Sequence, residues 1–174
     1  MAPIVYGNER TRMYKQLLVP TDGSAGATRA LKHAFRLAER FDATIHVVYV
    51  FDTTNSPLGL DNVLTDVHNP PGESVIEAAV REGEKRGYPI EGHVLKGVPH
   101  ETIVEYAVEN GIDLIVIATR GRSGIARGML GSVTENVIRR SNVPVLTVRA
   151  RESDDNADSK SKTNPRATSG RDDR

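Results

Sequence analysis

Asp113-Leu-Ile-Val-Ile117 runs into Ala118-Thr119-Arg120-Gly121 and, after nine further residues, into Gly131-Ser132-Val133-Thr134-Glu135. The apolar run, rich in Ile and Leu and without polar alternation, predicts a strand covered on both faces. Val133, Val137 and Ile138 give the segment from Ser132 to Arg140 one apolar stripe, the pattern of a helix. Between strand and helix lies a loop rich in glycine and arginine. Glycine lets backbone N–H groups come close to a ligand because no side chain intervenes. A helix opening at Ser132 points unpaired N–H groups and a partial positive charge at the same loop. Together these features form an anion-binding construction suited to phosphate groups.

The same alternation organises the rest of the chain. Gln16–Val19, Thr44–Val50 and Pro144–Val148 are further runs of the buried-strand type, and His93-Val-Leu-Lys96 is a more polar one suited to a sheet edge. Ala27, Leu31, Ala34, Phe35 and Ala38 fall on one helical face after Ser24, a plausible N-cap. Val75, Ile76, Ala79, Val80 and Gly83 form a second stripe, with Ser74-x-x-Glu77 as a capping box and Gly87 as the stop. Ile103, Val104, Ala107 and Val108 form a third, opened by Pro99 and closed by Asn110-Gly111. Strands alternating with helices predict a doubly wound α/β domain: an open five-stranded parallel sheet with helices on both faces. In such domains ligands bind beyond the carboxyl ends of the strands, at the switch point. Pro20–Ser24 and Ala118–Ser132 both fall there.

Residues 14–149 are expected to form this one nucleotide-binding domain, between a flexible N-terminal arm (1–13) and a disordered polar tail (150–174) whose composition offers almost nothing apolar to bury. Asp52 to Pro71 is a long polar connection of the kind that forms lids and binding loops. The 174 residues carry 23 basic and 23 acidic side chains, so no net field argues for nucleic acid or a membrane surface as partner. Cysteine is absent, which excludes disulfides and thiolate chemistry. Neither a run of about 18 apolar residues nor a signal peptide is present, and the cytoplasm is the expected location.

Ala118-x2-Gly121-x9-Gly131-Ser132 closely resembles the Gly-x2-Gly-x9-Gly-Ser/Thr loop of the ATP-binding branch of the universal stress protein family. The resemblance extends through Val133-Thr134-Glu135-Asn136-Val137 and Val143-Pro144-Val145, and Pro20-Thr21-Asp22-Gly23-Ser24 matches the family's other nucleotide-contacting segment. It implies the strand order 3-2-1-4-5, ATP with Mg²⁺ carried by the nucleotide, a nucleotide-dependent switch in stress response, and a homodimer paired through Val143–Val148. By the same analogy Pro20, Thr21 and Asp22 flank the adenine and Val50 meets it through its backbone. Ala118 and Gly121 lie near the ribose and phosphates, and Gly131, Ser132, Val133 and Thr134 hold the phosphates through N–H and hydroxyl groups. Ile117 and Arg122 complete the expected set.

The family's first glycine is Ala118 here. If that position needs a positive φ, alanine costs about 1–2 kcal/mol; if it needs only room, one methyl is tolerated, as the end of a strand suggests. Arg120, Arg122 and Arg127 are placed either to neutralise phosphate or to face solvent. Asp22 either contacts adenine, ribose or metal, or bonds backbone where the first helix begins. The loop has neither the P-loop, the dinucleotide fingerprint nor the nucleophile-elbow spacing. The histidines (His33, His46, His68, His93, His100) show no ligand spacing, so no protein-held metal is expected. No general base or nucleophile stands out, and hydrolysis is expected to be slow or incidental. The alternatives are a binding module with altered or lost nucleotide (AMP, a cyclic nucleotide or protein contacts only) and a slow ATP hydrolase.

Overall fold

In the computed structural model, which describes residues 13–54, 72–121 and 130–149, the first apolar run becomes β1 (Gln16–Pro20) at the centre of a parallel sheet. α1 (Ala25–Phe41), β2 (Thr44–Asp52), α2 (Glu73–Arg86), β3 (Ile90–Gly97), α3 (Pro99–Glu109), β4 (Leu114–Ala118), α4 (Ser132–Arg140) and β5 (Val145–Val148) follow. The strands lie in the order β3-β2-β1-β4-β5, every pair parallel, as expected for a doubly wound α/β domain. The arm, the tail and residues 55–71 lie outside the described residues, apart from Met13.

Side chains alternate between the two faces of each strand. Leu17, Val19, Ile45, Val47, Leu114 and Val116 pack beneath Ala30, Leu31, Ala34, Phe35 and Ala38 of α1 and Ile76 and Ala79 of α2. Leu18, Val48, Ile115 and Ile117 face Ile103, Tyr106 and Ala107 of α3 and Val137 of α4. Each fully buried leucine or isoleucine contributes about 1.5–3 kcal/mol from removal of apolar surface from water. Burial on both faces explains why these strands read as unbroken apolar runs. β3, at the edge, has no fully buried residue and reads as polar.

Local chemistry sets the helix ends. Ser24 caps α1 as expected, its Oγ accepting the Ala27 N–H at 3.2 Å. The capping box at Ser74 does not form: α2 begins two residues earlier than that cap implies, with Gly72 at the N-cap (φ 100°) and no side-chain cap, which leaves Ser74 exposed inside the first turn. Gly87 ends α2 in the left-handed conformation, as expected. In α3 the buried face is Ile103, Tyr106 and Ala107, whereas Val108 is 64% exposed. A stripe at 103, 104, 107 and 108 and one at 103, 106 and 107 both fit a helical period, and the aromatic ring takes the inward position. In α4, Val137 is buried while Ile138 is exposed. β3 is longer than its apolar core, and β2 continues to Asp52, because the β2–β3 ladder extends from Ile45↔Ile90 to Asp52↔Gly97.

α1 approaches the end of β4 closely at Gly26. A Cβ there would stand 2.8 Å from the Arg120 carbonyl oxygen and 3.3 Å from the Ala118 Cβ. In an unencumbered helix, Gly→Ala is worth up to about 1 kcal/mol in stability. At Gly26 the collision is with backbone, so Gly26→Ala is expected to destabilise by about 1–3 kcal/mol, measured by urea unfolding. A stabilised variant would mean that the loop after β4 yields freely.

Candidate functional site

β1 and β4 pair at Leu17↔Leu114 and Leu18↔Ile115, and beyond them the two strands part, each still paired with its outer neighbour, to Pro20 on β2 and to Ala118 on β5. From β1 the chain turns into α1 on one face, and from β4 it leads to α4 on the other. The crevice between them is a cavity of about 460 Å³, within the range of small-molecule sites. Pro20, Thr21, Asp22, Val50, Ile117, Ala118, Gly121, Gly131, Ser132, Val133 and Thr134 all line it, as does Arg120. Arg122 and Arg127 lie outside the described residues.

On the β1 side a short turn is fixed by its own side chains. Thr21 donates its N–H to the Val48 carbonyl at 2.9 Å, and its hydroxyl accepts the Gly23 N–H at 3.1 Å. Asp22 Oδ1 accepts the Ser24 N–H at 3.0 Å, the backbone-bonding role open to it at a helix start. The other carboxylate oxygen faces Gly121, where any Cβ would collide with it. The two loops thus meet across the switch point, where Gly121 leaves room for the Asp22 carboxylate. Backbone groups alternate in direction along a strand, so Val50 points its N–H and C=O to the same side as Val48. β1 ends at Pro20, opposite Val48, which leaves the Val50 groups facing the crevice.

On the β4 side Ala118 is ordinary strand, paired with Val148, and Asp42 is the sole described non-glycine residue with positive φ. The alanine therefore carries no backbone strain. Gly131 is the N-cap of α4, with φ −66° and ψ 146°. These are angles open to any residue, so its need for glycine lies in access rather than conformation. Its N–H donates to the Thr119 carbonyl at 2.8 Å. Ser132 is therefore the first helical residue, exposed, and makes no cap bond. Helix geometry leaves the N–H groups of Ser132, Val133 and Thr134 without intrahelical acceptors, at the positive end of the helix dipole. The Thr134 hydroxyl corrects the sequence reading: it is buried and donates to the Ala118 carbonyl at 2.8 Å, so it braces the loop rather than facing a ligand.

Ala27, Val48, Tyr49, Pro99 and Ile103 also line the cavity, and Asp52 stands at its rim. Sequence reasoning had not assigned them, although Pro99, opening a helix right after β3, marks a third carboxyl strand end. Asp52 Oδ1 accepts the N–H and the hydroxyl of Thr54 at 2.9 and 2.6 Å. Among the described residues, no histidine lines the cavity. The histidines show no ligand spacing along the chain, but the fold brings potential ligand atoms of His46, Glu91 and His93 within 4.8 Å of one another, away from the cavity.

Residues 13–149 match the universal stress protein family. A universal stress protein of Methanocaldococcus jannaschii is 36% identical over 143 residues, 79% of this chain and 83% of the relative. A solved universal stress protein in complex with cAMP is 32% identical, with a TM-score of 0.61 over 78% of this chain and 97% of its own. One from Archaeoglobus fulgidus in complex with dAMP is 26% identical, with a TM-score of 0.59 over 78% and 98%. With this extent of similarity and this fold, the chain belongs to the universal stress protein family.

Proposed function

We propose that the crevice binds ATP with its Mg²⁺ and that the protein is a cytoplasmic, nucleotide-dependent switch in stress response. The observation that carries this reading is the start of α4, where three consecutive N–H groups open into a cavity whose inner wall is apolar. Phosphate oxygens take the N–H groups of Ser132, Val133 and Thr134, with Arg120 alongside. Pro20, Ile103 and Ile117 offer an apolar surface for the adenine ring, and the Val50 N–H and C=O complement its polar edge. Mg²⁺ supplies charge neutralisation and stays with the phosphates and water. The lining carboxylates, Asp22 and Asp52, both serve as acceptors within turns, so turnover is expected far below the median enzyme rate of about 10 s⁻¹. The relatives solved with cAMP and dAMP favour a second reading, a monophosphate or cyclic nucleotide as the cognate ligand. Titration calorimetry with ATP, AMP and cAMP decides between them: ATP at about micromolar affinity, near −8 kcal/mol, and tighter than cAMP supports the first reading, and the reverse order the second.

Two substitutions test the phosphate end. Gly131→Val places a branched side chain at the mouth of the α4 N-terminus, and ATP binding is expected to be lost. Because the backbone angles suit valine, the fold should survive, which circular dichroism would check. Ser132→Ala removes an exposed hydroxyl that caps nothing, so stability without ligand should change by less than about 0.5 kcal/mol. ATP affinity should fall by about 1.5–3 kcal/mol, the range for a hydrogen bond to a charged group. Unchanged affinity in both variants would remove phosphate from this end of the cavity.

The protein is further proposed to form a homodimer through β5. This strand is short and at the sheet edge, with Leu146 38% exposed, and such an edge invites pairing. Pro144 and Val148 direct their carbonyls to β4, so the N–H groups of Val145 and Thr147 point outward by alternation. Thr147→Pro deletes one outward donor and leaves the β4 ladder whole. Light scattering is expected to give a dimer for the wild type and a shift toward monomer for this variant; a monomeric wild type at micromolar concentration would refute the pairing.

A further inference from the structure

His46 and Glu91 are partners in the β2–β3 register, and His93 follows Glu91 at the spacing that keeps two strand residues on one face. The three therefore share the face covered by α3, one turn of that helix away from the cavity, and none of them lines it. His46 is 6% exposed, and Glu91 and His93 lie on the open surface of the edge strand. His46 Nδ1 is 3.6 Å from Glu91 Oε2 and 2.9 Å from the Tyr106 hydroxyl, and its Nε2 is 2.8 Å from Gln16 Oε1.

We propose that His46, Glu91 and His93 form a Zn²⁺ site that ties the edge strand β3 to β2, with water as the fourth ligand. Its strongest support is the orientation of the buried ring. The Gln16 carbonyl oxygen can only accept, so Nε2 carries the proton and donates to it. Nδ1 then keeps its lone pair, which accepts from the Tyr106 hydroxyl at 2.9 Å and lies 3.6 Å from Glu91 Oε2. Metal-bound histidines are held in this way, the second ring nitrogen donating to a carbonyl or carboxylate that fixes tautomer and ring plane.

Geometry and ligand type agree. Ligands at 2.0–2.1 Å in a tetrahedral shell stand roughly 3.3 Å apart. The His46–Glu91 pair is already near that separation, and the wider spread within the group is closed by rotation of two exposed side chains. Two imidazoles and a carboxylate suit zinc better than magnesium or calcium, which favour all-oxygen shells. The Tyr106 hydroxyl now donates to Nδ1 and must release it, which makes Tyr106 a competitor with the metal.

The test is Zn²⁺ titration of the metal-free full chain by calorimetry, without nucleotide, together with the visible spectrum of the Co²⁺-loaded protein. One ion per chain at micromolar affinity or tighter is expected, with the intense visible band of tetrahedral Co²⁺. Glu91→Gln and His93→Ala, both at exposed positions, should weaken binding by tenfold or more while circular dichroism stays unchanged. Tyr106→Phe should bind Zn²⁺ at least as tightly as the wild type, whereas His33→Ala on α1 should leave binding unaltered. Absence of stoichiometric uptake, or equal uptake by wild type and the Glu91→Gln/His93→Ala double variant, would overturn the site.

Discussion

Two hydrogen bonds from the start of α4 to the end of β4 set the shape of the crevice. The Gly131 N–H reaches the Thr119 carbonyl and the buried Thr134 hydroxyl reaches the Ala118 carbonyl, each at 2.8 Å. The ends of the intervening loop are thereby held together whatever its middle does, and the helix axis is fixed against the last residues of the strand. Both acceptors are carbonyls at the carboxyl end of β4. Thr134 spends its hydroxyl on this brace, which leaves its N–H, with those of Ser132 and Val133, as the outward-facing set. Preorganised donors of this kind need no rearrangement when a negative charge arrives, and this is the physical basis for reading the helix start as an anion seat.

The opposite wall is built with equal economy of side chains. Asp22 holds the turn into α1 through Ser24 and lies against Gly121, while Gly26 lets α1 settle beneath Arg120. Three backbone segments converge at the switch point because two of the contact positions lack a Cβ. The sheet could offer such a place only where β1 and β4, its central pair, send their chains to opposite faces. The order β3-β2-β1-β4-β5 is therefore the cause of the crevice as well as its scaffold.

Much of this was legible in the sequence for one reason: parallel strands buried on both faces must be apolar throughout, so Leu17–Val19 and Leu114–Ile117 announce themselves. Ser24, Gly87 and Pro99 were equally readable, because each acts within its own turn of chain. The failures share a different cause. Ser74 read as the cap of α2 and Val108 as an inward position on α3, whereas Gly72 and Tyr106 take those places; only the tertiary packing decides. The Thr134 hydroxyl could be judged free or engaged only once the Ala118 carbonyl was seen beside it. His46, Glu91 and His93 carry no linear signature, since His46 and Glu91 stand 45 positions apart and the register joining them belongs to the ladder.

The polar groups of the crevice also bear on what kind of work it can do. A hydrolase needs a group free to take a proton from water at bonding distance, with a proton affinity matched to that task. The lining carboxylates accept hydrogen bonds within turns, at Ser24 and at Thr54, and no described histidine lines the crevice. What the crevice does present is directional N–H donors at one end and apolar surface at the other, a combination that favours a ligand having both phosphate and an aromatic ring. A binding site of that character can change which conformations and contacts the protein favours only through differential affinity for them. The surfaces through which a nucleotide could act are accordingly those it touches or braces: the loop held at Thr119 and Gly131, the start of α4, and through β4 the neighbouring edge strand β5.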